Sequence, residues 1–169
     1  MRNISFNPAM LAAVRAGRKT VTRRRLSSGL PMQQEPDRYR FIGVSAQGVL
    51  FEDRYTQPPS LLPLVPLPFG PADTYLSVAE DPLLVLKIVA VRAEQVRDLT
   101  EADALAEGIM AGPQPSPTQW GGVEPDAAHA GAFHWYDNPV AAFRGLLDSI
   151  YPTAWARNEW VWVNEFAPQ

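Results

Sequence analysis

Of the 15 Lys and Arg residues in this 169-residue chain only two are lysines, and one of them, Lys19, follows Arg18 and precedes two threonines and a run of arginines. The segment reads Ala16-Gly17-Arg18-Lys19-Thr20-Val21-Thr22-Arg23-Arg24. Arginine does not deprotonate in a protein, whereas neighbouring cations and desolvation bring a lysine amine toward neutral pH. A neutral amine at Lys19 would accept the proton of the Thr22 hydroxyl, the pairing used in Ser-Lys type acyl transfer. The same residues would also make an ordinary solvated basic corner. Spacing sets a condition on the first reading. Residues three apart point to opposite sides of a regular strand, so Lys19 and Thr22 converge only where the chain at Lys19 is not extended.

Other chemistries find less support. There is no cysteine, which removes thiol nucleophiles, disulfide scaffolds and zinc ribbons. No Gly-Lys-Ser/Thr phosphate loop, dinucleotide glycine motif or Gly-x-Ser-x-Gly elbow occurs. His129 and His134 lie near Asp126 and Asp137, but without the rigid spacing of a zinc set, so neither a metal nor a cofactor is expected. Residues 1–25 hold seven cations and no Asp or Glu, which leaves −10 for the remainder at a net charge of −3. Such a segment would bind something anionic or pair with the acidic body of its own chain.

The elements that must position Lys19 follow from local pattern. Ile4-Ser5-Phe6 reads as a short strand, and Asn7 caps a helix with Pro8 at its first position and Gly17 at its end. Thr20 onward alternates as a strand, which puts Arg18-Lys19 at a helix-to-strand corner. Residues 27–38 read as loop. Tyr39–Val44 and Val49–Asp53 read as a hairpin, and the proline-rich stretch 57–71 as a stiff extended surface connection. Thr74–Val78 and Leu83–Val91 read as strands, the second an apolar run of the kind buried on both faces. Thr100 and Asp103 resemble a capping box for a short helix that closes at Glu107-Gly108. Residues 111–137, rich in Pro and Gly and holding both histidines, read as a long inserted loop, either a functional cover or a mobile segment. Asn138-Pro139 opens a helix whose inner face is Val140, Phe143, Leu146, Leu147 and Ile150, and Glu159–Phe166 is an aromatic-rich strand. The order implies one α+β domain over 1–169, a small twisted sheet or barrel with about three short helices. No apolar run approaches the ~18 residues of a membrane span, so a soluble cytoplasmic protein is expected, with no membrane partner and no evident obligate protein partner.

Four segments together resemble the ASCH superfamily. They are the corner Ala16-Gly17-Arg18-Lys19-Thr20-x-Thr22-Arg23, the Gly70-Pro71-x-Asp73 turn ahead of a strand ending at Glu80, Leu99-Thr100-Glu101-Ala102-Asp103-Ala104-Leu105-Ala106-Glu107-Gly108-Ile109, and the closing Trp160-Val161-Trp162-Val163-x-Glu165-Phe166. The resemblance implies a PUA-like β-barrel flanked by helices. At the corner it is similar to the small bacterial N4-acetylcytidine amidohydrolases, which implies catalytic roles for Lys19, Thr22 and Glu107. The Ala72–Glu80 strand lacks the tryptophan and arginine usual in phage-type relatives, and the small amidohydrolases lack counterparts of 57–71 and 111–137.

The expected function is removal of the acyl group from an N4-acylated cytosine, cytidine or related pyrimidine nucleoside or base. Thr22 would attack with Lys19 as its base, or a water activated by Glu107 would attack with Lys19 stabilising the oxyanion. Arg23 and Glu80 are candidates for orienting the pyrimidine, and Phe6 for stacking on it. A non-catalytic RNA-binding module and a metal-independent ribonuclease are the alternatives.

Overall fold

Strand geometry follows from where the large side chains must go, and the last strand carries most of them. In a computed structural model describing residues 1–115 and 117–169, the chain runs through β1 (Arg2–Ile4), α1 (Pro8–Arg15), β2 (Val21–Arg25) and α2 (Pro31–Gln34). There follow β3 (Tyr39–Ser45), β4 (Gly48–Asp53), β5 (Ser60–Leu61), β6 (Tyr75–Val78) and β7 (Asp81–Gln95). The second half comprises α3 (Glu101–Ala106), β8 (Met110–Pro115), β9 (Thr118–Pro125), β10 (Phe133–Tyr136), α4 (Pro139–Ile150), α5 (Ala154–Arg157) and β11 (Trp160–Pro168).

Five strands in the order β1-β6-β7-β11-β2 form a curled half-barrel, and two three-stranded sheets, β3-β4-β5 and β10-β9-β8, flank it. The architecture is mixed α+β. Alternate residues of β11 feed two separate cores. Trp160, Trp162 and Phe166 pack with Ile4, Phe6, Phe51, Leu76 and Ile88 inside the curl. Val161 and Val163 pack with Val21, Leu99, Phe143, Leu146 and Leu147 beneath α3 and α4. β2 and β1 end the sheet at its two edges, and Arg24 Nη2 donates to Ser5 O (2.6 Å) across the gap between them. No helix among the described residues is long and apolar enough to cross a membrane.

Several local expectations differ from the structure. The strand buried on both faces is β11, not the Leu83–Val91 run. Within β7, Leu83 is 94% exposed and Val89 56%, so these two side chains turn away from both cores. Residues 111–137 are not an inserted loop. Apart from Ser116, which lies outside the described residues, they are largely the sheet β8-β9-β10, and Val123 of β9 joins the second core. The stretch 57–71 is extended, but it is stitched to the hairpin: β5 pairs with β4, Val65 exchanges backbone bonds with Val49 at 2.9 Å, and Val65 and Leu67 are buried. Residues 27–38 contain α2 and a 3-10 turn at 36–38. The buried Gln33 amide there donates to Leu26 O and Trp160 O and accepts from Trp160 N.

Candidate active site

Two capped helices bring the chemistry together. Asn7 accepts from Met10 N at 2.7 Å to start α1, and Gly17, at φ +70°, lets the chain reverse after it. The N–H groups of Arg18 and Lys19 then both bond to Ala13 O (2.9 and 3.0 Å), so the chain at Lys19 is folded tightly against α1 rather than extended. Thr20 N bonds to Ala106 O at 2.9 Å, tying this corner to the end of α3. At the other end of α3 Thr100 and Asp103 form the expected reciprocal cap. Gly108 follows Glu107 at φ +103°, where a Cβ would stand 3.1 Å from that of Ala13, so only glycine lets the two helix ends approach this closely.

The result is a buried charged cluster. Lys19 Nζ donates to Glu107 Oε2 (2.6 Å), Val21 O (2.8 Å) and Glu107 O (3.1 Å), which uses all three of its protons. Lys19 and Glu107 are 1% and 2% exposed. Arg23 Nη1 holds the other Glu107 oxygen at 3.2 Å, while its Nη2 reaches Glu94 Oε1 (2.6 Å) and Asp103 Oδ1 (3.1 Å). Glu107 is thereby clamped between two cations. Burial pushes the Lys19 amine below the ordinary lysine value; Glu107 opposes this, and Arg24 and Arg23 add to it. Arg23 is pushed up, its desolvation outweighed by the surrounding carboxylates of Glu107, Glu94 and Asp103.

A narrow cleft of about 50 Å³ runs along the free edge of β2. Lys19, Thr22, Arg23, Arg24 and Glu107 form its polar wall, and Phe143, Leu146, Ile150 and Tyr151 at the C-terminal half of α4 its apolar one. Lys19, Thr22 and Glu107 are thus brought together as the corner motif implied. Thr22 lines the cleft but takes no part in the hydrogen bonds of the Lys19 cluster. Arg23 is also there, with its guanidinium committed to three carboxylates.

Phe6 and Glu80 are not part of the cleft wall. The Phe6 ring is buried against Phe166 (6.0 Å between centroids), with the Lys19 ammonium 5.9 Å from its centre. Glu80 is exposed and accepts from the Ser5 hydroxyl and from Phe6 N (3.1 Å), bonds that hold its carboxyl below the usual range. Neither lines the cleft, and none of the described residues of 111–137 does. The histidines of that segment both face Asp126, with His129 Nδ1 at 2.8 Å and His134 Nε2 at 4.0 Å. No group of three or more His, Cys, Asp or Glu among the described residues is placed to hold a metal ion.

The partners Glu94 and Asp103 and the α4 wall are additions to the sequence reading. The amphipathic stripe of α4 identified its buried face, but nothing local to the stripe says that its last turn borders a cleft. All seven cations of residues 1–25 are engaged within the chain. Arg15 pairs with Asp81 and Arg25 with Glu159, while Arg2, Arg18 and Arg24 donate to backbone carbonyls, and Lys19 and Arg23 share Glu107. Comparison with known proteins finds no matching family model, no matching curated protein and no matching solved structure.

Proposed function

We propose that the chain is an ASCH-type, PUA-like amidohydrolase that removes the acyl group from an N4-acylated cytosine or cytidine. The observation that carries this reading is the buried 2.6 Å pair of Lys19 and Glu107, set beside Thr22 at the end of a cleft with one polar and one apolar wall. In the ion-paired form Lys19 has no lone pair with which to take a proton from Thr22. Glu107 does have one, because each carboxylate oxygen keeps a second acceptor site. That favours attack by water over attack by Thr22.

Glu107 takes a proton from the water, whose oxygen adds to the amide carbonyl carbon. The Thr22 hydroxyl donates to the resulting oxyanion. Lys19, a stronger acid than an ordinary lysine, gives a proton to the exocyclic nitrogen as the C–N bond breaks. Glu107 then returns its proton to Lys19 across the 2.6 Å contact, leaving a carboxylic acid and the free amine. The cleft is far smaller than the ~300–1,000 Å³ of sites that enclose a whole drug-sized ligand. The acyl amide therefore enters it, and the base and sugar rest at its mouth beside Ile150 and Tyr151. The RNA-binding alternative gains no support from the basic segment, whose cations already have partners.

The test is release of cytidine from N4-acetylcytidine, followed by absorbance. Lys19→Met and Glu107→Gln, which preserve volume, are expected to lower kcat by about 10²–10⁴-fold while the far-ultraviolet circular dichroism stays unchanged. Thr22→Val is expected to lower it by about 10²-fold, as for loss of one oxyanion donor. Absence of turnover by the unaltered protein on any N4-acylated pyrimidine sinks the reading.

A further inference from the structure

One buried polar side chain near the cleft belongs to none of these interactions. Asn164 is 1% exposed, and neither its Oδ1 nor its Nδ2 has a hydrogen-bond partner. It lies on β11 directly across from Thr22, in the antiparallel register that also places Trp162 opposite Arg24 and Val163 opposite Arg23. Residues opposed in this way point to the same face of the sheet, with Cβ atoms about 4.5–5.5 Å apart. The other flank of Asn164 is Val91 of β7. Its neighbours along the same face of β11, Trp162 and Phe166, belong to the apolar core inside the curl.

A carboxamide with two donors and an acceptor is therefore enclosed among apolar groups, beside a threonine that borders the cleft and stands outside the Lys19 hydrogen bonds. Buried side-chain amides are almost always satisfied, and one that is not calls for a reason, a role in catalysis among them. A leucine of similar shape would fill the same space with no polar group to desolvate.

We infer that Asn164 is a positioning residue for Thr22. Resting on the amidohydrolase reading, the inference is that Asn164 Nδ2 donates to Thr22 Oγ once substrate is bound. With one lone pair occupied, the threonine turns its own proton toward the carbonyl oxygen in the cleft. The hydroxyl becomes a directed donor, strengthened by the hydrogen bond it accepts. Asn164 touches no reacting atom in this arrangement, and no net proton transfer passes through it.

The test combines kinetics with a readout that needs no turnover. Asn164→Leu and Asn164→Ala are expected to lower kcat on N4-acetylcytidine about tenfold with KM little changed, since the bond that the contact strengthens, from Thr22 to the oxyanion, is realised in the transition state. Asn164→Leu is expected to keep or raise the thermal midpoint. In a Thr22→Val background, Asn164→Leu should cost nothing further. An equal loss in both backgrounds, or full activity of both Asn164 variants in the Thr22 protein, overturns the inference. Independently, the Asn164 side-chain amide signals, assigned in a ¹⁵N NMR spectrum by their disappearance in Asn164→Leu, should shift when N4-methylsulfonylcytidine, a non-hydrolysable analogue whose sulfonyl oxygen stands in for the acyl carbonyl, is added to the unaltered protein. They should stay fixed when the same analogue is added to Thr22→Val. Signals that do not move in the unaltered protein overturn the inference, whether or not the protein hydrolyses the amide. Absence of turnover with moving signals defeats the amidohydrolase reading and leaves the Asn164–Thr22 coupling standing.

Discussion

Lys19 and Glu107 are each more than nine-tenths buried, and removing one of such a pair ordinarily costs about 3–5 kcal/mol by stranding the other charge. The cluster solves this with a third member: Arg23 holds Glu107 Oε1 and is itself balanced by Glu94 and Asp103. The proposed activity would take its pH dependence from the same charges. On that reading Lys19 must be protonated to donate to the leaving amine, so turnover is expected to fall as pH rises through its pKa. Burial, with Arg24 and Arg23 behind it, lowers that pKa below the ordinary value of 10.5, so the alkaline limb of kcat/KM is expected below pH 10.5. Arg24→Gln removes one of the opposing charges and is expected to move the limb to higher pH. A rate profile recorded from pH 6 to 11 on both proteins checks the direction, and a downward move contradicts the assignment of Lys19 as the acid. Lys19, Thr22 and Glu107 were legible in the sequence because the corner and the Leu-Thr-Glu helix carry recognisable local motifs. Glu94 was not, since it meets Arg23 across 71 positions and only the strand order β7-β11-β2 brings it there.

At the scale of elements, what the sequence disclosed was set by how local each signal is. The caps at Asn7, Thr100 and Asn138 are all formed as expected, because each depends on a side chain bonding a backbone N–H three residues away. Burial of a strand depends on what lies over it, and here the reading failed. The apolar run of β7 turns Leu83 and Val89 outward, while β11 is enclosed by both cores. Pro113, Pro115 and Pro125 gave residues 111–137 the composition of a loop, yet two of them, Pro115 and Pro125, sit at strand ends, and β8 pairs with β9 through a shifted register that leaves Ala111 and Pro115 on either side of the irregularity. The cap of α3 has a second duty that makes it testable. Asp103 uses Oδ2 to cap the helix and Oδ1 to meet Arg23. Thr100→Ala is expected to cost about 1 kcal/mol in urea unfolding. It should also lower kcat modestly, because Asp103 is no longer held toward Arg23. A stability loss with wholly unchanged kinetics would show that the cap and the charged cluster are independent.

For the whole molecule, the concentration of cations in residues 1–25 is a device for joining layers. Arg15 reaches the turn at Asp81, Arg25 reaches Glu159 ahead of β11, and Arg2 reaches the proline-rich stretch at Leu67 and Pro68. The two cores meet at β11, whose odd-numbered valines serve one and whose tryptophans serve the other. A strand shared in this way cannot leave one core without uncovering the other. Regions that open separately in native proteins are those with few shared contacts, and β11 has none of that freedom. In amide hydrogen exchange, Val161, Trp162 and Val163 should therefore exchange together, at the rate of complete unfolding, despite belonging to opposite faces. Exchange at any of the three faster than complete unfolding would mean that β11 parts from β7 or β2 while the rest of the protein stays folded. The cleft is bordered by β2, which is laddered to β11, so common protection of those three amides would mean that the buried charges of the cleft are held in place for as long as the protein is folded.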